Sequence, residues 1–430
     1  MKQYRILLTG GGTGGHIYPL IAIVRELRKQ PEDFDIKYFG PKDIFSFYLT
    51  GEGVAVKSII SSKLRRYFSW LNFLDVLRFA LSSLQSLWRV FWFMPDVVFS
   101  KGGPGSLPVL LACHFYRVPI IIHESDSVPG LTNRITARWA KTIFVGFASS
   151  ADTFKKINPA AEIIVSGNPV RSVILNGMKD LNRFFPSVIA SEAGQSPTIL
   201  VLGGSQGSTR INDFIFQNLD SLLSKYQIIH QVGNANYSDY MISLGKDNKS
   251  VIARRSPSAT DEAISSASSL RGDKVDEAIS STSSFRAGEI ATPSLFGENQ
   301  KGWARDDKKG YFVIAYLEEK DLADAYATAD LVIARAGAET IFELAATGKP
   351  SILIPLPESA QDHQRQNAYE YAQTGAALVV EEENLLINLF EQELDIILNN
   401  PEKIKQMSVA AKNFYKPEAN KKIVDMLQLY

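Results

Sequence analysis

Two doubly wound α/β domains in tandem are the fold this chain predicts, and three observations carry it. Short β-branched runs alternate with helical patterns, which calls for parallel strands with helices on both faces. The alternation comes in two successive sets, and 430 residues exceed what one ordinary core holds. Each set also carries a glycine cluster directly after its first strand, "LLTGGGTGG" and "LVLGGSQGS".

In the first set, residues 1–168, strands fall at "YRILLT", "FDIKYFG", "VAVKSII", "PDVVFS", "VPIIIHE", "KTIFVGF" and "EIIVSG". "SGNPVRSVILNG" and "NRFFPSVIASEAGQSP" mark a linker over 169–197. In the second set, residues 198–414, strands fall at "PTILVLGG", "YQIIHQVG", "YFVIAYL", "ADLVIARAG", "KPSILIPLP" and "AALVVEEE". A final helical segment, 415–430, is expected to pack back on the first domain. Residues 237–309 break the pattern, being rich in Ser, Ala, Asp and Arg without sustained periodicity. There "DEAISSASSLR" recurs as "DEAISSTSSFR", two copies being too few for a solenoid and too poor in apolar residues to bury. This segment reads as a disordered or weakly structured surface insertion.

The charge balance, 46 basic against 46 acidic residues, argues against a nucleic-acid binder. Cys113 is the only cysteine, so no disulfide framework is expected and the cytosol is the compartment it suits. "MKQYRILLTG" enters a strand at once and leaves no room for a signal peptide. The apolar stretch "LRRYFSWLNFLDVLRFALSSLQSLWRVFWFMPD" is interrupted by Asp75, Arg78 and Arg89, so it reads as not transmembrane.

Glycine permits positive φ and a close approach of backbone to ligand, and a helix start behind such a loop presents N–H groups to an anion. Taken alone, Gly10, Gly12 and Gly15 also satisfy a dinucleotide fingerprint, with Asp33 or Asp35 near the ribose-acid distance. A purely structural turn is a third reading of that loop. The second loop, Gly203 to Gly207 around Ser205, favours two phosphate-bearing ligands facing a common cleft. A third signal is "ARAGAETIFELAATGKPSILIPLPESAQDHQRQNA". It sets Gly337 and Ala338 at a helix start and Glu343 where a carboxylate can take two ribose hydroxyls. Gln364 follows a strand end and offers an amide to a sugar.

In "GGTGGHIYP", "KGG", "HESDSVPGLTN", "GNPVR", "LGGSQGSTRIN", "HQVG", "RAGAETIFEL" and "DHQRQNA", taken in order, the chain resembles the MurG-type glycosyltransferases. The match runs over nearly the whole chain apart from the insertion. The resemblance implies a GT-B fold of two Rossmann-like domains, a UDP-N-acetylglucosamine donor, lipid I as acceptor and lipid II as product for peptidoglycan. It also implies inversion at the anomeric carbon, no tightly bound cofactor, and a peripheral position at the cytoplasmic side of the bacterial cell membrane, where cell-wall synthesis proteins are conceivable partners. Carried over by position, Ser205 binds the diphosphate and the backbone at Leu317 reads the uracil edge. Ala338, Glu339, Thr340, Ile341, Phe342 and Glu343 hold phosphate and ribose, and Gln364 the sugar hydroxyls. Thr13, Gly14 and Gly15 line the cleft, and Arg171 matches a donor-binding position.

The chain departs from the family at three places. Ser125 and Asp126 stand where the family usually has Gln-Asn, so an acceptor replaces a neutral amide donor. A carboxylate beside a sugar diphosphate is repelled unless a cation such as Arg171 compensates. Pro104 replaces the usual aromatic after "GG", and the insertion separates "HQVG" from "YFVIAYL".

The expected chemistry is a single in-line displacement by the muramyl 4-hydroxyl as UDP leaves. The glycine loop and the "RAGAET" helix start stabilise the departing charge, so no metal is required; no Asp-x-Asp pair follows a strand. His16, at a helix start whose dipole disfavours imidazolium, is either the general base or a phosphate positioner. His123 and Glu124 either orient the acceptor or serve the fold, whereas His114 and His230 signal nothing beyond the fold.

A polyprenyl acceptor requires contact with a bilayer. Lys57, Lys63, Arg65, Arg66, Arg78 and Arg89 surround one acid, Asp75, and three of the five tryptophans, Trp70, Trp88 and Trp92, lie there too. Arg65, Arg66, Tyr67, Phe68 and Trp70 are expected to face anionic lipid, with Arg138 and Lys141 extending the patch. Leu74, Leu77, Leu81, Leu84 and Trp88 are expected to form the inward stripe. Rival readings are another GT-B lipid glycosyltransferase, a UDP-N-acetylglucosamine 2-epimerase and a non-catalytic sugar-nucleotide scaffold.

Overall fold

The computed structural model describes residues 4–41, 46–60, 71–179, 184, 196–204, 207–243, 303–306, 310–357 and 359–430; of 71–74, 241–243 and 303–306 it describes the backbone. The first sheet comprises β1 (Tyr4–Thr9), β2 (Phe34–Gly40), β3 (Ala55–Ser58), β4 (Val97–Ser100), β5 (Ile120–Glu124), β6 (Thr142–Val145) and β7 (Glu162–Val165). They run parallel in the order β3-β2-β1-β4-β5-β6-β7. The second comprises β8 (Thr198–Leu202), β9 (Gln227–Gln231), β10 (Trp303–Asp306), β11 (Tyr311–Ile314), β12 (Leu331–Ala334), β13 (Ser351–Leu353) and β14 (Ala377–Val379). Its order is β10-β11-β9-β8-β12-β13-β14, with only β10 antiparallel to its neighbour.

Every strand read from the sequence is present, and β10 is an addition. It lies inside the segment 237–309, where Trp303–Asp306 pairs with β11 and the helix Asn234–Ser243 runs into the segment's start. Its apolar content is too low to announce a strand; the ladder with Tyr311–Ile314 supplies what the local pattern lacks. The repeat at 261–286 lies outside the described residues.

Side chains of a strand alternate between faces, and the cores follow that period. Ile6 and Leu8 of β1 pack on one side with the helix Gly14–Leu27, while Leu7 packs on the other with Val109 and Leu110. In β8, Leu200 and Leu202 face one way and Ile199 and Val201 the other. The last helix, Ala419–Leu427, buries Ile423, Val424 and Leu427 in the core of the first sheet.

Strand order reverses between β1 and β4, and again between β8 and β12. In doubly wound sheets that reversal opens a crevice beyond the carboxyl ends of the strands. The loops after β1 and β8 are the two glycine clusters. Sheet topology therefore brings both glycine loops to crevices built for ligands.

Candidate functional site

After β1 the chain turns at Gly12, whose φ of +66° suits glycine. Thr13, extended, caps the helix Gly14–Leu27, and its Oγ1 lies 2.8 Å from His16 Nδ1. The loop after β4 comes equally close: a Cβ on Gly103 would stand 3.1 Å from the Gly11 nitrogen. His16 is half-buried, beside Lys101 and Asp126 of its own domain. Loss of solvent, and then the Lys101 charge, lower its pKa to about 4 against an opposing pull from Asp126. The imidazole is therefore neutral near pH 7, with burial as the leading cause.

In the second domain Gly204 and Gly207 have φ of +85° and +80°. Ser208 caps the helix Thr209–Gln217 by accepting from Ile211 N, and its Oγ also takes Arg335 Nη2 at 2.6 Å. Arg335 also donates to the carbonyls of Ile354 and Pro355, so one buried guanidinium ties three loops of this crevice together. Ser205 lies outside the described residues. Leu317 is buried and its N–H donates to Gln231 Oε1 at 2.9 Å.

The helix Ala338–Thr347 starts behind Gly337, and its first N–H groups point into the crevice as helix starts require. Glu339 meets the other domain there, its Oε2 3.7 Å from where a Cβ on Gly15 would be. Burial, then the neighbouring Glu343, raise its pKa to about 8 against the pull of Arg171 and Lys101. Ile341 and Phe342, expected at phosphate and ribose, are buried in the core. The Phe342 ring packs edge-on against Phe147 of the first domain, with centroids 5.2 Å apart.

Glu343 is buried and accepts from Arg171 Nη2 at 2.7 Å and from the Tyr326 hydroxyl at 3.1 Å. The Arg171 guanidinium also lies 4.1 Å from the centre of the Tyr18 ring, and its Nε is 3.6 Å from Glu319. Burial opposes its charge, yet Glu343, Glu339 and Glu319 outweigh that and raise its pKa. Gln364, half-buried, turns its Oε1 to the N–H of Leu356. Just before it, Gln361 and Asp362 hold φ of +59° and +57°, a left-handed pair that L side chains rarely adopt.

Arg171, on the Glu343 side of the interface, is not the partner of Asp126. Asp126 Oδ1 instead accepts from Asn367 Nδ2 at 2.8 Å, across the cleft. Ser127 donates through both N and Oγ to Asn367 Oδ1, each at 2.8 Å. The cause is reach, since Arg171 is committed to the Glu343 side of the interface. Other contacts across the cleft are Arg25 with Glu319 at 2.8 Å and the Tyr18 and Tyr316 hydroxyls at 2.7 Å. His123 and Glu124 are both tied into the fold: His123 Nε2 donates to the Gly167 carbonyl, and Glu124 accepts from Asp126 N, Gly130 N and Asn133 Nδ2. Lys101, Asn168, Arg335 and Asn367 were not singled out from sequence. Each nevertheless stands in a quoted motif, Lys101 in "KGG", Asn168 in "GNPVR", Arg335 in "RAGAETIFEL" and Asn367 in "DHQRQNA".

The helix Leu71–Phe93 reverses another expectation. Leu77, Leu81, Leu84 and Trp88 lie on its outer face, with Leu84 63% and Trp88 65% exposed. Asp75, Ser82, Ser86, Val90 and Phe93 are its buried residues among those whose side chains are described, Val90 and Phe93 joining the core. Periodicity marks an apolar stripe without saying which way it points. The side chain of Leu74 and the residues Arg65, Arg66, Tyr67, Phe68 and Trp70 are not described.

Residues 6–145 match the glycosyltransferase family 28 N-terminal domain, and 198–269 with 296–423 match its C-terminal domain. A UDP-N-acetylglucosamine--N-acetylmuramyl-(pentapeptide) pyrophosphoryl-undecaprenol N-acetylglucosamine transferase of Clostridium botulinum (strain Langeland) is 32% identical over 410 residues, covering 93% of this chain and 95% of that one. A second such transferase, from Bacillus cereus (strain ATCC 14579), is 31% identical and covers 98% of both chains. Among solved structures, Acinetobacter baumannii MurG superposes with a TM-score of 0.64 at 22% identity, over 99% of this chain and 100% of that one. The UDP-GlcNAc 2-epimerase of Neisseria meningitidis gives 0.60 at 13% identity over the same shares, which reports a common fold. With both domain models matched in order around this cleft, the chain belongs to glycosyltransferase family 28 and, within it, to the MurG-type transferases.

Proposed function

We propose that this protein transfers N-acetylglucosamine from UDP-N-acetylglucosamine to the muramyl 4-hydroxyl of lipid I, forming lipid II for peptidoglycan. The observation that carries the reading is the meeting of two helix starts across one cleft, Gly15 facing Glu339, with His16 next to Gly15 in the first of those helices. Residues 1–168 take the acceptor in this reading and 198–414 take the donor. The free N–H groups at Ala338, Glu339 and Thr340, with the Gly203–Gly207 loop, stabilise the charge gathering on UDP. Glu343 has further lone pairs for the ribose beyond those given to Arg171 and Tyr326. The neutral His16 removes the acceptor proton, and the single displacement inverts the anomeric carbon.

The test is UDP release from UDP-N-acetylglucosamine, with and without a short-chain lipid I analogue, with product masses recorded. Acceptor-dependent UDP with one added N-acetylhexosamine is expected. UDP release without acceptor would point to hydrolysis or to the epimerase chemistry of the fold's other members. Donor binding without turnover would leave a sugar-nucleotide scaffold.

Among the described residues no helix is long and apolar enough to cross a membrane. We propose peripheral contact with an anionic bilayer through the outer face of Leu71–Phe93. Leu84, Trp88 and Trp92, the last 69% exposed, support it, as do Phe115 at the neighbouring helix end and the exposed Arg138 and Lys141. Apolar side chains flanked by basic ones suit such an interface. The double variant Leu84→Glu/Trp88→Glu should lose at least about tenfold in binding to phosphatidylglycerol vesicles at low salt. Transfer to a water-soluble acceptor should stay unchanged; unaltered vesicle binding would sink this reading.

A further inference from the structure

Lys101 follows β4 at the crevice, its N–H donating to the Thr9 carbonyl at 3.0 Å. Its side chain runs beneath the first glycine loop, where a Cβ on Gly10 would touch both Lys101 and His16. The residue is only 2% exposed. Its ammonium donates to His123 Nδ1 at 2.7 Å, Ser125 Oγ at 2.5 Å and Asn168 Oδ1 at 3.0 Å. Because His123 Nε2 gives its proton to the Gly167 carbonyl, Nδ1 is an acceptor, so all three ammonium protons meet neutral acceptors.

A buried cation without a carboxylate in direct contact is costly unless its field is used. Glu124, Glu339 and Asp126 face it and favour its charged form, while burial disfavours it more and brings its pKa down to about 7. His16 and His123, the other titratable groups beside it, are both driven towards the neutral form by burial and then by Lys101. Ser125, which it holds, also donates to Asn168 Oδ1 and opens the turn whose next two residues grip Asn367. Asn367 belongs to the facing domain and is fully buried.

We infer that Lys101 is a positioning residue: its ammonium fixes the Ser125–Ser127 turn so that Asp126 and Ser127 clamp Asn367, and its charge offsets the Asp126 carboxylate in a cleft that receives phosphates. This rests on the transferase reading for its kinetic arm. Lys101, and not Arg171, is thus the cation that offsets the Asp126 carboxylate in this cleft.

The test is a cycle of four proteins: wild type, Lys101→Met, Asp126→Asn and the double variant. Transfer to the lipid I analogue gives kcat and KM over pH 5 to 9, and calorimetry with UDP-N-acetylglucosamine gives Kd without turnover. Lys101→Met should lose at least tenfold in kcat and weaken donor binding about fivefold. The double variant should recover the larger part of both, because no carboxylate is then left to offset, and keep only the smaller loss that comes from the unfixed turn. The wild-type rate should fall as pH rises through about 7, where the ammonium deprotonates, and Lys101→Met should lack that limb. A Lys101→Met enzyme equal to wild type, or a double variant as impaired as the two single losses combined, would overturn the inference. If Lys101→Met does not fold, the folded double variant decides: near-wild-type Kd supports the inference and a fivefold weaker one overturns it. Absence of transfer by the wild type would count against the transferase reading, while the calorimetric cycle would still report on Lys101.

Discussion

Replacing His16 with alanine should lower kcat for N-acetylglucosamine transfer by about 10²- to 10⁴-fold, the usual contribution of a general base. Donor affinity should change little, because the diphosphate and nucleoside are assigned to the facing domain. The environment makes the group suitable: burial and Lys101 keep the imidazole neutral down to about pH 4. The base form is present above that value and is lost only as pH falls through it. Between pH 5 and 7 this residue should therefore produce no limb in the rate profile. Thr13 Oγ1, 2.8 Å from Nδ1, orients the ring so that Nε2 is left for the acceptor hydroxyl. A His16→Ala enzyme with nearly intact kcat and weakened donor binding would instead make His16 a phosphate positioner. Initial rates at saturating donor, with Kd from calorimetry, separate the two.

Glu343→Ala should be the most damaging single change for both stability and donor binding. It leaves the buried Arg171 guanidinium with Glu319, at 3.6 Å, as its remaining ion-pair contact among the described residues and Glu339 further off. Breaking a buried pair from one side costs about 3 to 5 kcal/mol, and retention of Glu319 favours the lower end. Loss of a carboxylate acceptor for ribose should cost donor binding a further 1.5 to 3 kcal/mol, roughly 10- to 150-fold in Kd. The paired variant Arg171→Met/Glu343→Leu distinguishes these effects. It should recover much of the stability, since neither charge remains buried alone, without recovering the donor. Denaturant unfolding midpoints and calorimetric Kd for UDP-N-acetylglucosamine read the two separately. Normal donor affinity in Glu343→Ala would remove Glu343 from the ribose.

Local signals in the sequence were enough for much of the architecture. Thirteen strands stood out because a strand buried on both faces is a short run of β-branched and aliphatic residues between turn signals. The glycine loops after β1 and β8 were legible for the same reason, as positive φ at Gly12, Gly204 and Gly207 writes itself into residue type. β10 was not legible, because four residues, Trp303–Asp306, become a strand only through the ladder they join. Nor was the outward turn of Leu77, Leu81, Leu84 and Trp88, since a 3.6-residue period is identical whether the stripe faces core or solvent.

By itself, then, the sequence determined two parallel α/β sheets, their order of elements and the chemistry placed at each loop, since these depend on neighbours a few residues apart. Only the tertiary structure decided who partners whom: Arg171 with Glu343, Asp126 with Asn367, Lys101 with His123, Ser125 and Asn168, and the Leu317 N–H with Gln231. Those pairs are separated by 22 to 241 positions along the chain. A buried charge or amide must find its partner within about 3 Å, and at such separations the meeting is set by how the sheets and domains pack.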